Sequence, residues 1–94
     1  SEVTGKWKVE QGSSVVDINL AGESSSLTID GHNFKGVVDK IDNGNNTVHV
    51  KVETEGGNNE EWTIHQVWND NGSAFKLILR RNDTTETLVP VGRS

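Results

Sequence analysis

The 94-residue chain contains no cysteine and no methionine, and it has one proline. The lack of cysteine excludes disulfides, thiolate chemistry and cysteine-ligated metal sites. Because translation begins at methionine, we expect a processed mature chain from which a secretory or lipoprotein signal has been removed. A removed signal implies an extracellular or periplasmic location, with a lipid anchor before trimming in the lipoprotein case.

Positive charge and long apolar runs are also scarce. Nine Lys and Arg stand against fourteen Asp and Glu, for a formal net charge of −5. Phosphate recognition needs a basic face, so this balance argues against a nucleic-acid partner and against adsorption to anionic membranes. No apolar run approaches the ~20 residues of a transmembrane helix. The length predicts one domain over residues 1–94, and we expect a monomer.

What the sequence does contain is apolar and polar residues in alternation, as in Trp7 and Val9 between Lys6 and Lys8. A period of two is typical of antiparallel strands with one buried and one wet face. Turns rich in Gly, Asn and Asp separate the runs. We predict eight strands near 4–10, 14–21, 25–30, 33–41, 46–54, 60–69, 73–81 and 85–91. The short loops predict an up-and-down meander in which each strand pairs with the one before it.

Two positions resist the alternation. Around Phe34 the phase fits Val38 but not Ile41, so we expect Gly36 to mark a bulge. Pro90 has no N–H to donate to the hydrogen-bond ladder of a sheet, so it should sit at an edge, a bulge or a strand end. The sequence therefore does not decide whether the sheet closes fully.

Eight strands with one apolar face predict an all-β fold, an antiparallel up-and-down barrel. Closure removes both exposed edges. Such a barrel is just wide enough for side chains or one small ligand. The inward set should include Trp7, Phe34, Trp62 and Phe75, with Trp68 as a further candidate, so we expect a small or plugged interior.

Gly5-Lys6-Trp7 on the first strand resembles the G-x-W motif of lipocalin and calycin barrels. The chain is similar to the small lipocalin-like domains of bacterial secreted proteins and lipoproteins. The resemblance implies that Gly5 and Trp7 form a plug at the closed end. It also implies a basic residue over the indole, which strand order assigns to Arg93. An ordinary core tryptophan is the alternative for Trp7. The T-D-Y motif of the family is absent.

The same strand order predicts an open mouth at the opposite end. The residues predicted to surround it are Glu60, Glu61, Trp62, Arg80, Arg81 and His32. An aromatic ring beside guanidinium groups can anchor a carboxylate or phosphate. The ligand-binding candidates are therefore Trp62, Arg80, Arg81, Glu60 and His32. Solvated strand ends are the alternative interpretation of the charged residues.

No constellation of catalytic residues is apparent. His32, His49 and His65 are scattered over separate segments, and neither H-E-x-x-H nor G-x-S-x-G occurs. We therefore expect a protein that is not an enzyme, with no cofactor and no metal.

The leading functional hypothesis is a non-enzymatic binding domain. It would hold a small apolar or amphipathic molecule at the mouth, or contact an extracellular protein. The alternative is an inhibitor of a secreted protease, because small barrel inhibitors of metalloproteases share a short Ser-initiated tail before a G-x-W strand. In that case Ser1, Glu2 and Val3 would enter the protease cleft. A structural β-module without a ligand is the third hypothesis.

Overall fold

The computed structural model describes residues 2–91. It contains eight strands, confirming the predicted all-β fold: β1 Gly5–Val9, β2 Val15–Asn19, β3 Ser25–Ile29, β4 His32–Asp42, β5 Thr47–Glu53, β6 Asn59–Trp68, β7 Phe75–Arg81 and β8 Thr84–Pro90. Short 3₁₀ turns at Gly22–Ser24, Asn43–Asn45 and Glu55–Gly57 lie in three of the connections. Within residues 2–91, no helix has the length and apolar character needed to cross a bilayer.

The strands form one closed antiparallel barrel in which each strand pairs with its sequence neighbours and β8 returns to β1. The β1–β8 seam aligns Trp7 with Pro90, Lys8 with Val89 and Val9 with Leu88. Pro90 is the last residue of β8, as the missing N–H requires. The Val91 N–H beyond it still donates to the Lys6 carbonyl at 3.3 Å. The barrel is therefore fully closed, which the presence of Pro90 had made uncertain from the sequence.

Inward side chains fill the barrel. Those that are at most 2% exposed are Val16, Ile18, Leu27, Val50, Val52, Trp62, Ile64, Leu77, Leu79 and Leu88. Trp7, at 5% exposure, joins this core from β1, and Phe34 and Phe75 pack against it while partly exposed. Burial of apolar side chains is the main stabilising term for a chain this small. The predicted small, plugged interior is the observed one.

The bulge in β4 lies at Asp39, not at Gly36. Val38 pairs with Val50 and Lys40 with His49, so Asp39 is the extra residue. This insertion returns Ile41 to the phase of the inward side. Gly36 has a different role: a Cβ there would stand 2.8 Å from Cγ1 of Val50, so the glycine allows β4 and β5 side chains to pack closely.

The β3–β4 hairpin turns through Asp30 and Gly31, both at positive φ (49° and 84°), as expected for a two-residue Asp-Gly turn. Asp30 Oδ1 also accepts a hydrogen bond from the Val15 N–H at 2.9 Å. This bond, with a smaller contribution from Ser14, lowers the pKa of Asp30 below its ordinary value. The carboxylate thereby ties the β1–β2 and β3–β4 connections together.

Candidate functional site

The meander divides the connections between two ends of the barrel. One end, here called the mouth end, carries the connections at 10–14, 30–31, 54–58 and 82–83. The other, the plug end, carries residues 2–4 and the connections at 20–24, 43–46 and 69–74. Trp7 lies near the plug end and Trp62 near the mouth end.

Trp62 lies on the inward side of β6 and is only 2% exposed. Its indole Nε1 donates to Glu60 Oε1 at 2.8 Å. The ring of Phe34 meets it edge-on, with centroids 5.1 Å apart, and the His32 ring lies against Phe34 in a tilted contact at 4.6 Å. The structure therefore brings together four neighbouring side chains at the mouth end, three of which (Trp62, Glu60 and His32) are predicted site residues.

Arg81 covers Trp62 from β7. Its guanidinium carbon is 5.5 Å from the indole centroid, within cation–π range. Nη2 donates to Glu86 Oε1 at 3.0 Å, and the two side chains are 24% and 22% exposed. Nε is buried and has no hydrogen-bond partner among residues 2–91. The pair with Glu86 compensates the positive charge that was predicted to face a ligand.

Arg80 does not join this cluster. It pairs with Thr63 on β6 and Thr85 on β8 and lies on the outer face, exposed to solvent. The cause is the two-residue period of a strand, which turns neighbouring side chains to opposite faces. Glu61 lies on the outer face for the same reason, where its Oε2 is 3.0 Å from His49 Nδ1.

The mouth end is closed by its own side chains. Trp62 donates to Glu60 and Arg81 Nη2 donates to Glu86, so a ligand there would have to compete with contacts already made. A recess of about 390 Å³ remains beside them, lined by His32 and Glu60 among others. It is shallow and polar and offers little apolar surface to an amphipathic molecule.

At the plug end, the Trp7 indole Nε1 donates to the Val3 carbonyl at 2.9 Å, and the ring is buried, as a plug and an ordinary core tryptophan both require. Gly5 has φ +149°, a backbone conformation that side chains disfavour, which accounts physically for the glycine two residues before the tryptophan. Arg93, the predicted partner of the indole, lies outside the described residues.

Residues 2–4 cross the plug end and are held to the barrel. Val3 is buried at 7% exposure. The Thr4 hydroxyl accepts from the Leu20 N–H at 3.0 Å, and Gln66 Nε2 lies 3.5 Å from Glu2 Oε1. A tail that entered a protease cleft would first have to leave these contacts. Ser1, the remaining residue of that hypothesis, lies outside the described part of the chain.

A row of apolar rings spans four strands beside the plug. Trp7 pairs with Pro90 across the seam, and Trp68 pairs with Phe75 on the neighbouring strands. Ring centroids are 5.6 Å apart for Trp7–Phe75 and 4.8 Å for Phe75–Trp68. Exposure rises along the row, from 5% at Trp7 to 40% at Trp68. This row is an aromatic platform that is buried at one end and open at the other.

The platform forms one wall of a groove of about 1000 Å³. Val91, 38% exposed, adds apolar surface to it. Its polar lining includes Glu2, Lys6 and Ser73. Of the clefts described here it is the largest, and it combines exposed aromatic surface with polar groups, as ligand sites do.

A second, smaller recess of about 330 Å³ lies on the other side of residues 2–4, and Glu2 lines both. Its wall includes Ile41, the most exposed large apolar side chain described, at 61%. The plug end thus carries Ile41, Trp68 and Val91, which leaves more apolar surface exposed than the mouth end shows.

This groove is not predicted from the sequence, in which Trp68 is only a candidate to fill the interior. Its strand extends beyond the packed layers. The available signal was position: Trp68 and Phe75 flank the β6–β7 connection and share the inward phase of Trp62 and Leu77. Inward residues at a strand end need not be covered by the layers that fill the centre.

The histidines of β5 and β6 make contacts between neighbouring strands. Among residues 2–91, no three His, Cys, Asp or Glu side chains are placed to hold a metal ion. His49 pairs with Glu61 at 3.0 Å, and His65 Nδ1 lies 2.9 Å from the Thr47 hydroxyl, both on the outer face. These are contacts between neighbouring strands of the kind that stabilise sheets.

Comparisons with protein-family models, curated proteins and solved structures match none of them to this chain. Its function must therefore be inferred from the geometry of the two ends.

Proposed function

We propose that the protein is a non-enzymatic binding domain, a lipocalin-like barrel that holds a small amphipathic ligand in the groove at its plug end. The observation that carries the proposal is Trp68. An indole that is 40% exposed beside Phe75, within a groove of about 1000 Å³, is surface that a ligand can cover. Covering it removes apolar area from water, which favours binding.

The other locations support binding less well. The barrel centre is occupied by core side chains such as Leu77 and Leu88, both at 0% exposure, so a ligand inside would have to displace them. At the mouth end, Trp62 is 2% exposed and Arg81 is paired with Glu86. A ligand that bound the Arg81 Nη2 group would compete with a charge-assisted hydrogen bond. A ligand in the plug-end groove needs neither to displace core side chains nor to compete for the Arg81–Glu86 pair.

The test follows the three indole N–H signals by NMR during titration with sodium oleate, lysophosphatidylcholine and a panel of hexasaccharides. We expect a compound from this panel to shift the Trp68 signal and leave the Trp62 signal in place. Trp68→Ala should weaken that binding about tenfold or more, a loss of about 1.4 kcal/mol or more. Val67→Ala is the matched control, since Val67 is the adjacent residue on the opposite face and is also 40% exposed.

Two results would count against the proposal. A shift of Trp62 without Trp68 would locate binding at the mouth end. No shift with any compound would favour a structural β-module. Equal potency of the intact chain and a chain lacking residues 1–3 in a metalloprotease inhibition assay, or no inhibition by either, would remove the inhibitor hypothesis.

A further inference from the structure

On the basis of the proposed function, we infer that the ligand of the plug-end groove is a neutral carbohydrate. One pyranose face of this ligand stacks on Trp68, and the polar rim binds its hydroxyls. The groove offers an aromatic platform and polar groups on one open surface. A sugar presents C–H groups on its ring faces and hydroxyls at its edges. The two patterns are complementary.

The platform fits a flat apolar face. The face of an indole carries the negative part of its quadrupole, which attracts C–H groups of partial positive charge. Trp68 has the required exposure at 40%, and Phe75 supports it with centroids 4.8 Å apart. Trp7 and Pro90 continue the apolar row across the neighbouring strands, but Trp7 is 5% exposed, so Trp68 supplies the main exposed aromatic face.

The charges of the groove favour a neutral ligand. Among residues 2–91, the ionisable residues that line it are Glu2 and Lys6. An anionic head group would gain from Lys6 and lose to Glu2, within a chain of net charge −5. A hydroxyl can donate to the carboxylate and accept from the ammonium, so a polyhydroxylated molecule can use both.

The wall that carries the platform is rigidly built. In the β6–β7 connection the Asn69 side chain accepts from the Ser73 N–H at 3.0 Å, and its Nδ2 donates to the Ser73 hydroxyl at 3.1 Å. The Asn69 N–H donates to the Ala74 carbonyl at 2.9 Å. A connection held in this way costs little entropy when a ligand binds, which matters for weakly bound, flexible ligands such as oligosaccharides.

Lipids fit the same groove less well. An acyl chain gains most when it is enclosed, but the enclosed volume of this barrel is filled by Leu27, Val50 and other core side chains at 0% exposure. In an open groove, part of the acyl chain would stay in contact with water. The groove therefore favours a ligand whose second face is itself polar.

The experiment titrates the full chain with maltohexaose, cellohexaose and chitohexaose, and in parallel with sodium oleate, while the Trp68 indole signal is followed. We expect at least one hexasaccharide to shift this signal, with an affinity unchanged between low and high salt, because a neutral ligand is not screened. Trp68→Ala should weaken that binding about tenfold or more, the size of effect found when a stacking platform is truncated. Trp68→Phe should retain part of it, and Val67→Ala all of it.

The outcomes separate the inference from the proposed function. Oleate binding at Trp68 without binding of any hexasaccharide overturns the carbohydrate inference and leaves the ligand-binding function in place. Binding of no hexasaccharide, no oleate and no lysophosphatidylcholine overturns both. Hexasaccharide binding that Trp68→Ala does not weaken overturns the assignment to this groove. Because Trp68 is exposed, its alanine variant should fold, and the unchanged Trp62 signal serves as the check.

Discussion

Two adjacent arginines on β7 occupy opposite environments because successive strand residues face opposite sides of the sheet. Arg81 lies over the Trp62 ring, three-quarters buried, and donates to Glu86 at 3.0 Å. Arg80 is exposed on the outer face. At the scale of single residues, the difference between a structural and a solvated cation on this strand is therefore one position.

Replacing Arg81 should cost far more stability than replacing Arg80. Arg81→Ala removes the cation over the indole and leaves the mostly buried Glu86 carboxylate without its donor, which should lower the free energy of unfolding by about 1–3 kcal/mol. Arg80→Ala should change it by less than about 0.5 kcal/mol. Urea denaturation of the two variants measures both. Equal effects would show that the Arg81 pair contributes nothing measurable to the fold.

A comparable distinction applies to the predicted binding residues. Chemical type singled out Trp62, Arg81 and Glu60, and the structure does bring them together. Residue type does not predict how exposed these side chains are or how they pair with one another. Glu86, on a neighbouring strand, pairs with Arg81 and compensates its charge. Trp68, by contrast, is accessible because it lies beyond the packed layers of the barrel, which its residue type does not predict.

At the scale of elements, β4 shows how far sequence pattern reaches. Regular alternation predicted all eight strands to within about two residues of their ends. The phase of Ile41 predicts a disturbance in β4, and the sequence places it at Gly36. The observed bulge is at Asp39. A glycine can serve a bulge or a close approach, and sequence alone does not separate the two. Gly36 pairs with Val52, and only the Val50 side chain, diagonal to it on β5, identifies the close approach.

This interpretation of Gly36 can be tested with a methyl group. In Gly36→Ala the new Cβ would stand 2.8 Å from Val50 Cγ1 and 3.4 Å from the Lys51 carbonyl oxygen. Relieving the overlap should lower the free energy of unfolding by about 1–3 kcal/mol, the usual cost of overpacking a core. Gly12→Ala is the matched control, because its nearest contact, Val9 Cγ1, would be 3.7 Å away.

The outcome of this comparison has a second use. If Gly36→Ala were neutral, Val50 would have to move without cost, and the core around β4 and β5 would be looser than the complete burial of Val50 indicates. Adding Val50→Ala to Gly36→Ala should then restore none of the free energy of unfolding. In the packed core described here, the double variant should instead be less destabilised than the sum of the two single changes, because the overlap is removed.

At the scale of the whole molecule, the two ends of the barrel are closed by different means. The mouth end is covered by a cluster of polar and aromatic side chains from β4, β6, β7 and β8. The plug end is covered by a segment of backbone, residues 2–4, with Val3 as its buried side chain. Because Trp7 donates to the carbonyl of Val3, this segment also fixes the indole that begins the aromatic row.

The contribution of the covering segment can be divided between side chain and backbone. Val3→Ala removes buried methyl groups but keeps the carbonyl, so it should lower the free energy of unfolding by about 1–2 kcal/mol while the Trp7 indole N–H stays protected from hydrogen exchange. Removing residues 1–3 takes away the acceptor as well, and the Trp7 N–H should then exchange faster.

The control is Val91→Ala, which changes the same residue type at the same end, where Val91 is 38% exposed and should cost less than about 0.5 kcal/mol. Denaturation and indole exchange measured on the three variants separate the two contributions. Fast exchange of Trp7 in Val3→Ala would mean that the buried side chain, and not the carbonyl, holds the indole. In that case the segment would act as a hydrophobic cap, and the aromatic row would depend on it for its alignment.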